Sequence, residues 1–420
     1  MMKRRDFLKS TASATAAFAT GAVSAPAVLR AQTGPIKIGL MAPLTGVLAA
    51  GGKELVEGFD LWWERNGKEI AGRKVEITVE DDASNPDTAL QKARRLVEQN
   101  NVHFLIGNII ANTGLAVANY VKGNGVPYFI PVIAADDLTQ RNRIPNVLRI
   151  AGYTGSQFTR PLADWCLKAG YKKVATVSQD YAYGHEMCGG FAQTLTEGGG
   201  TIVQQFWHPL NTADFSPYLG QLQGLGVDAI FGMETGADAS RFLQQYSNFG
   251  LKGKIPLVGA MNVCDQSVIR TLGDEPMDVV SCAAFCEGAQ DESTKKFSEE
   301  YEKRYQKLPS VFGTTHFSGA MWLTEAITKI GGKVEDREAF IKAVREVDLK
   351  GSPLGPSVKL DQYGHPVYTA YIRKVQKRAD GKKWNVPIAS YPDVGQFWKY
   401  DPETYMKQPS YSRTFQGIKG

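Results

Sequence analysis

Histidine and cysteine are scarce in this sequence, with five residues of each among 420. The histidines are scattered, and His185-Glu186 lacks the second histidine that a zinc-binding helix needs. Gly198-Gly199-Gly200 precedes a predicted strand instead of opening a helix after one, so it does not form a phosphate-binding loop. We therefore expect no metal and no cofactor. The odd number of cysteines leaves at least one sulfur outside any intramolecular disulfide, and the pairing stays open among Cys166, Cys188, Cys264, Cys282 and Cys286.

Long apolar runs and a strong net charge are also lacking. No segment after residue 31 has the roughly 18 consecutive apolar residues of a membrane-spanning helix. The formal charge of +5 falls to +1 when the net +4 of residues 1–31 is removed, so no strong field remains to attract nucleic acid or acidic lipid. We therefore expect a soluble mature chain that binds no nucleic acid and does not insert into a membrane.

Residues 1–31 have the features of a secretion signal. Arg4-Arg5 followed by Phe7-Leu8-Lys9 is typical of a twin-arginine export signal, and a run of small and apolar residues follows it. An uncleaved membrane anchor is the alternative, but small and polar residues make this run only weakly hydrophobic. We expect the segment to be removed and the mature chain to work in the periplasm.

The rest of the chain alternates short β-type runs with helical stretches of about a dozen residues. The order strand, helix, strand predicts parallel βαβ units. The pattern runs from Ile36 to Ile130 and restarts after Ala151, so the sequence predicts an α/β fold of two doubly wound, Rossmann-like lobes. Sheets of this kind bind ligands at the carboxyl ends of their strands, which places a site in the cleft between facing lobes.

Short motifs follow this alternation in a fixed order. The first are Pro43-Leu44-Thr45-Gly46, Glu80-Asp81-Asp82-Ala83-Ser84-Asn85-Pro86, Leu105-Ile106-Gly107 and Leu138-Thr139-Gln140-Arg141. The later ones are Arg149 with Ala151-Gly152, Asp180 with Tyr183-Gly184, Ala213-Asp214-Phe215 and the segment from Thr315 to Ala326. Over residues 35–375 the chain resembles the type I periplasmic solute-binding proteins of ABC transporters, in the group of the leucine/isoleucine/valine-binding proteins.

The resemblance implies a two-lobed Venus flytrap with three hinge crossovers, near Ala151, Ala284 and Leu360. It assigns residues 34–151 and 285–359 to lobe 1, and residues 152–284 and 360–376 to lobe 2. Residues 377–420, rich in Tyr, Trp and Pro, would form a C-terminal extension that packs on the lobes. The implied protein is a monomer that closes on a small-molecule ligand and delivers it to an ABC permease in the inner membrane.

The family's ligand site carries over only in part. In amino-acid-binding members a loop after the fourth strand supplies hydroxyls to the ligand carboxylate, and the matching residues here are Ala111, Asn112 and Thr113. A second hydroxyl-bearing loop is replaced by Ile133-Ala134-Ala135. Tyr183 matches a family position that packs on the ligand. The other candidates for the pocket wall are apolar or aromatic, with core packing as the alternative for the two phenylalanines: Ile110, Tyr181, Phe312 and Phe317.

The acidic residue that normally pairs with the ligand's ammonium group is replaced by Met261, which Asn262 follows. A buried ammonium group without an anionic partner costs several kcal/mol. Glu234, in the neighbouring loop with Thr235, is a possible replacement, unless it is simply a solvated loop acid. An apolar slot with amide and hydroxyl donors fits an aromatic acid of the benzoate type, and a branched-chain or other apolar amino acid is the alternative.

An enzyme or a ligand sensor on the same bilobed shell is a more distant alternative. The sequence offers no convincing nucleophile or acid/base pair for the cleft and no Gly-x-Ser-x-Gly motif. Asp81-Asp82 favours helix capping over catalysis or metal binding. Arg149 could clamp a carboxylate, but its family counterpart leads into a hinge, which favours a structural ion pair. We therefore expect binding without turnover.

Overall fold

The computed structural model describes residues 34–418, so the predicted secretion signal lies outside the described residues. Within this range the strands are β1 (Ile36–Ala42), β2 (Glu69–Ile70), β3 (Arg73–Asp81), β4 (Phe104–Gly107), β5 (Tyr128–Phe129), β6 (Val147–Leu148), β7 (Lys173–Gln179), β8 (Thr201–His208), β9 (Ala229–Met233), β10 (Leu257–Gly259), β11 (Val280–Ala283), β12 (Asp348–Ser352), β13 (Gly355–Lys359), β14 (Tyr368–Lys377) and β15 (Lys383–Val394).

The α-helices alternate with these strands over most of the chain. They are α1 (Ala49–Arg65), α2 (Pro86–Arg94), α3 (Ala111–Asn124), α4 (Thr159–Lys168), α5 (Ala182–Glu197), α6 (Ser216–Leu222), α7 (Gly236–Asn248), α8 (Gln266–Ile269), α9 (Glu292–Tyr305), α10 (Val311–Lys329), α11 (Arg337–Arg345) and α12 (Pro402–Tyr405). A π-helical turn, Arg95–Gln99, extends α2, and a 3₁₀ turn covers Asp136–Leu138.

Two sheets form the centres of two lobes, as the alternation predicts. The first sheet has the order β2-β3-β1-β4-β5-β6, and its strands are parallel except for the β2–β3 pair. The second has the order β15-β14-β11-β10-β9-β7-β8, with a parallel part from β11 to β8. Central strands such as β4 and β9 are buried throughout because helices cover both faces of each sheet. The predicted α/β fold with two doubly wound lobes is confirmed.

The chain leaves the first sheet after β6 and enters the second at β7. Ala151, at the predicted first crossing, has a φ of 52°, a left-handed conformation that is uncommon for a residue with a side chain. The buried Arg149 guanidinium fixes the neighbouring loop, because it donates to the carbonyls of Ile133 at 3.0 Å and Ala135 at 2.6 Å. Arg149 therefore holds backbone at the crossing, and the residue boundaries of the lobes stay predictions.

The C-terminal residues form part of the second lobe's sheet and do not merely pack on its surface as an extension. β15 pairs antiparallel with β14 and forms one edge of the second sheet. After it, residues 396–416, here called the strap, contact both lobes. On the first-lobe side, Arg141 Nε donates to the Gln408 carbonyl at 3.0 Å. On the second-lobe side, the buried guanidinium of Arg160 lies 4.7 Å from the ring centre of Tyr405 and donates to its hydroxyl at 2.6 Å.

The five cysteines are buried and unpaired in the described chain. Cys282 and Cys286, the closest pair in sequence, form no disulfide, although Cys286 Sγ donates to the Asn385 carbonyl at 3.3 Å. Burial raises the pKa of every one of the five thiols, which keeps them protonated. None of the helices described in residues 34–418 combines the length and apolar character needed to cross a bilayer.

Candidate ligand-binding site

A pocket lies between the two lobes, with about 330 Å³ of empty space that includes open solvent at its mouth. From the first lobe it is lined by Leu48, Ile109, Ile110, Ala111, Val132, Ala134 and Phe312, and from the second-lobe side by Tyr153, Tyr181, Tyr183, Thr235 and Asn262. Within the described part of the chain, no lining side chain carries a charge.

The position of the pocket follows from the strand order. In each lobe the parallel strands have the same doubly wound order, with the switch point between β1 and β4 in the first sheet and between β7 and β9 in the second. Loops after these strands diverge to opposite faces and leave a crevice at the carboxyl ends. Most lining residues come from those loops and from the loops after β5 and β10, while Tyr153 follows β6 and Phe312 lies on α10. The two crevices thus face each other and form one pocket.

Four helices begin at the pocket wall. Their N-cap residues are Leu48 for α1, Ile110 for α3, Tyr181 for α5 and Thr235 for α7, and none of these caps its helix with a side chain. By contrast, side chains cap α2, α8, α9, α10, α11 and α12. α4 and α6 are also uncapped, but they begin away from the pocket.

Helix α3 begins with a set of free backbone donors. The first N–H of α3 that bonds within the helix is that of Gly114, to the Ile110 carbonyl at 3.1 Å. The N–H groups of Ala111, Asn112 and Thr113 therefore precede the helical ladder and point out of the helix end. Such groups, together with the positive end of the helix dipole, form a binding site for an anion.

The opposite wall carries hydroxyl and amide groups. Tyr183 Oη donates to Asn262 Oδ1 at 2.6 Å, and Tyr153 is buried beside them. The rings of Tyr181 and Tyr183 meet edge to face, with centres 6.1 Å apart. Burial raises the pKa of Tyr183 well above its ordinary value, so the hydroxyl stays protonated as a donor. The wall is thus aromatic with polar tips, which suits a flat ligand that carries polar groups at its edge.

The structure brings eight of the sequence-predicted candidates to the pocket. These are Ile110, Ala111, Ala134, Tyr181, Tyr183, Thr235, Asn262 and Phe312. Their contact with a ligand stays a prediction. Six others lie outside the lining: Asn112, Thr113, Ile133, Glu234, Met261 and Phe317.

Glu234 is neither solvated nor directed into the pocket. It is fully buried, and its Oε1 lies 2.9 Å from His208 Nε2 at the end of β8. Burial raises the pKa of Glu234 to about 7, although the His208 contact lowers it in part. Burial alone would lower the pKa of His208, but the hydrogen bond and charge of Glu234 raise it above its ordinary value. His208 therefore engages one oxygen of Glu234, while Oε2 is buried without a hydrogen-bond partner among the described residues, and pairing of Glu234 with a ligand ammonium group stays a prediction.

The predicted hydroxyl loop is the first turn of α3. The sequence periodicity predicts a helix only from Gly114 to Lys122, so α3 begins three residues earlier than expected. The Thr113 hydroxyl donates to the Ile110 carbonyl at 2.7 Å, so it is occupied within the helix, and the Asn112 side chain is exposed. Ile133 is fully buried and packs over Gly114. The contribution of this region to the pocket is thus backbone and methyl groups.

Two further predicted residues pack away from the pocket. Met261 is buried, and its carbonyl accepts a 2.8 Å hydrogen bond from the Arg373 guanidinium. Phe317 lies between Trp62 and Phe297, with ring centres 5.4 Å and 4.6 Å away, so it belongs to the core. Phe312, one helical turn earlier, does reach the pocket.

Sequence reasoning missed Leu48, Ile109, Val132 and Tyr153. The first three are ordinary apolar residues, and only their position after β1, β4 and β5 could have indicated them. Tyr153 follows the first crossing, where the resemblance predicted only a hinge. Among residues 34–418, no group of three or more His, Cys, Asp or Glu side chains is arranged to hold a metal ion.

Comparisons with known proteins give the family. The family model described as periplasmic binding protein matches residues 35–382. The Leu/Ile/Val-binding protein homolog 6 of Brucella abortus (strain 2308) is 27% identical over 383 residues, which cover 89% of this chain and 96% of that protein. The chain therefore belongs to the periplasmic binding protein family of solute-binding proteins, in its type I group.

Solved structures agree with this assignment. A solute binding protein of an ABC transporter from Rhodopseudomonas palustris BisB5, in complex with 3,4-dihydroxy benzoic acid, is 30% identical with a TM-score of 0.81, covering 86% of this chain and 98% of that one. Another from R. palustris, in complex with 4-hydroxybenzoate, is 27% identical with the same TM-score and coverage. A leucine binding protein from Thermotoga maritima MSB8 has a TM-score of 0.76 at 22% identity over 85% of this chain and 99% of that one, which indicates a shared fold alone.

Proposed function

We propose that this chain is the substrate-binding subunit of an ABC importer and that it binds a small aromatic carboxylate of the benzoate type in the interlobe pocket. The carrying observation is the pocket's composition: four uncapped helix N-termini, an aromatic wall and no charged side chain. We place the ligand carboxylate at the free N–H groups of Ala111 to Thr113, where the α3 dipole favours negative charge. The ring then lies against Tyr183 and Phe312.

The lack of an anion in the described pocket lining favours an aromatic acid over an α-amino acid. Its ammonium group would be buried among Tyr, Thr and Asn side chains without a counter-charge, which costs several kcal/mol. Glu234, the nearest sequence candidate, is hydrogen-bonded to His208 behind the wall. A benzoate carries no such group, so the same pocket holds it without that penalty.

The relatives support both ligand classes. Two R. palustris proteins carry hydroxylated benzoates, and the Brucella relative is named for leucine, isoleucine and valine. A branched-chain or other apolar amino acid is therefore the competing ligand, and the chemistry of the pocket favours the aromatic acid. The remaining parts of the proposal are export through the twin-arginine pathway, action as a monomer in the periplasm, and delivery of the ligand to an inner-membrane permease without chemical turnover.

Thermal unfolding of the ligand-stripped mature chain tests the ligand class. The panel is benzoate, 4-hydroxybenzoate, L-leucine, L-valine and L-phenylalanine. A ligand at 100 times its dissociation constant stabilises the folded state by about 2.7 kcal/mol, which raises the melting temperature by a few degrees. We expect stabilisation by the two benzoates alone. Stabilisation by the amino acids alone would overturn the proposed ligand class.

Tyr183→Ala tests the assignment of the pocket. If the ring packs on the ligand, its removal weakens binding by about 1 to 3 kcal/mol in calorimetric titration with 4-hydroxybenzoate. Tyr120→Ala is the control, because Tyr120 is half-buried near the other end of α3, outside the pocket lining, and its hydroxyl donates to Glu98 at 2.9 Å. Equal affinity of the Tyr183 variant and the control would place the ligand elsewhere.

A further inference from the structure

One segment of the second lobe carries both a pocket residue and contacts to the first lobe. It runs from Asn262 to Arg270, between β10 and β11, and is called the closure segment here. Asn262 lines the pocket and accepts the Tyr183 hydrogen bond. The rest of the segment includes the short helix α8, which packs on α7 and β15 of its own lobe.

Asp265 joins helices of the two lobes. Its Oδ1 accepts the Ser267 N–H at 2.9 Å and so caps α8, while its Oδ2 accepts the Val311 N–H at 2.8 Å in the first turn of α10. α10 packs along α1 of the first lobe, and its residue Phe312 lines the pocket. Asp265 is only 2% exposed, so this carboxylate is satisfied by backbone donors from both sides of the cleft.

Arg270 makes a second contact across the cleft, eight residues along the chain from Asn262. Its guanidinium donates to Glu54 Oε1 on α1, and also to the Leu308 carbonyl at 3.4 Å. The Glu54 side chain is 4% exposed and that of Arg270 is 22% exposed. Lys307, which belongs to the first lobe, lies 3.5 Å from the same carboxylate oxygen. When the lobes move apart, Arg270 moves away from Glu54, and Lys307 is then the remaining cation beside that carboxylate.

We propose that Asp265 and Arg270 are positioning residues that stabilise the closed, ligand-bound arrangement without touching the ligand. A ligand that packs against Asn262 holds the closure segment in the place where both contacts to α1 and α10 form. The interaction exists in the closed state only, so it shifts the equilibrium between open and closed protein and lowers the apparent dissociation constant. This inference rests on the proposed function, because it requires a ligand that closes the cleft.

The test compares wild type, Arg270→Gln and Arg270→Lys in stopped-flow and calorimetric binding, with 4-hydroxybenzoate and L-leucine as probes. We expect Arg270→Gln to weaken binding about 10-fold, chiefly through faster dissociation, and Arg270→Lys to restore part of the loss. Small-angle scattering should show a smaller ligand-induced compaction for Arg270→Gln at equal probe concentration. Urea unfolding of the ligand-free variant should match wild type, which separates a closure contact from a purely structural one.

Arg304→Gln is the matched control, because Arg304 pairs with Glu64 at 3.3 Å between two helices of the first lobe and should leave binding unchanged. Unchanged affinity and dissociation rate of Arg270→Gln, on whichever probe binds wild type, would overturn the inference while the proposed function stands. Binding of L-leucine alone would overturn the proposed ligand and leave the closure contact to be measured on leucine. Failure of both probes to bind wild type would overturn the proposed function, and the closure role with it.

Discussion

Glu234 and His208 form a buried pair directly behind the pocket wall, since Thr235 lines the pocket. Both pKa values are raised, that of Glu234 to about 7 through burial and that of His208 through its contact with Glu234. The folded protein therefore binds more protons at this pair than the unfolded chain. By linkage, the contribution of this pair to the free energy of unfolding falls as pH rises above about 4.5, the ordinary pKa of a glutamate. It continues to fall as pH passes the pKa of Glu234 at about 7 and the raised pKa of His208.

Glu234→Gln should remove most of this pH dependence. Between about pH 5 and pH 8, the free energy of unfolding should fall in wild type relative to the variant. The fall should be about 1.4 kcal/mol for each unit by which the substitution reduces the raised pKa values of the pair. Urea unfolding at several pH values measures it. Glu300→Gln, which changes a surface acid paired with Arg65, is the control and should follow wild type. Parallel profiles of Glu234→Gln and wild type would contradict the assignment.

Single residues show where sequence reasoning stops. Tyr183 lines the pocket, as its sequence position predicts, whereas Met261 packs outside the lining, and ligand contact at either position stays a prediction. Glu234 and Phe317 were also predicted to lie beside the ligand, but neither lines the pocket. Residue type and position along the chain do not specify which way a side chain turns, whether after a strand, as for Glu234, or within a helix, as for Phe317. His208 comes 26 residues before its partner, and only the β7–β8 pairing brings the end of β8 beside the β9 loop.

At the scale of elements, the start of α3 determines the proposed carboxylate site. Ile110 cannot cap the helix, so the first N–H groups stay available to a ligand. The periodicity predicted the helix but placed its start at Gly114, because no Ser, Thr, Asp or Asn stands at the N-cap to mark the boundary. The missing cap is itself the signal that sequence reasoning could have used.

Ile110→Asp and Ile110→Asn test this site as a pair. Both side chains cap a helix about equally well and both remove the isoleucine, so they differ chiefly in charge. The Asp variant should bind 4-hydroxybenzoate at least about tenfold more weakly than the Asn variant, since the new carboxylate occupies the α3 amides and repels the ligand. Calorimetric titration decides this. Equal affinities of the two variants would show that the ligand carboxylate lies elsewhere.

At the scale of the whole molecule, the alternating pattern was enough to predict two doubly wound lobes with a cleft between them. The final hairpin of the second sheet was not predicted, because β15 contains Pro387 and Pro392, which argue against a strand except at a sheet edge. The strap was expected to pack on the lobes, and its contacts to Arg141 and Arg160 depend on a tertiary arrangement that sequence spacing does not reveal.

The strap should contribute to global stability. Tyr405 is 4% exposed, and its loss removes both the ring beside Arg160 and the hydroxyl that the guanidinium donates to. Tyr405→Ala should therefore lower the free energy of unfolding by about 3 to 5 kcal/mol, and Tyr405→Phe by about 1 to 3 kcal/mol. Urea denaturation measures both values. Wild-type stability in Tyr405→Ala would mean that the strap is detached from the cooperative unit.

The most direct test of the account is a crystal structure of the mature protein bound to 4-hydroxybenzoate. We expect closed lobes, the ring between Tyr183 and Phe312, and the carboxylate within about 3.2 Å of the N–H groups of Ala111 to Thr113, with no charged side chain in contact. A carboxylate held by an arginine or lysine, or a ligand outside the interlobe pocket, would contradict the claim that helix N-termini alone hold the anion.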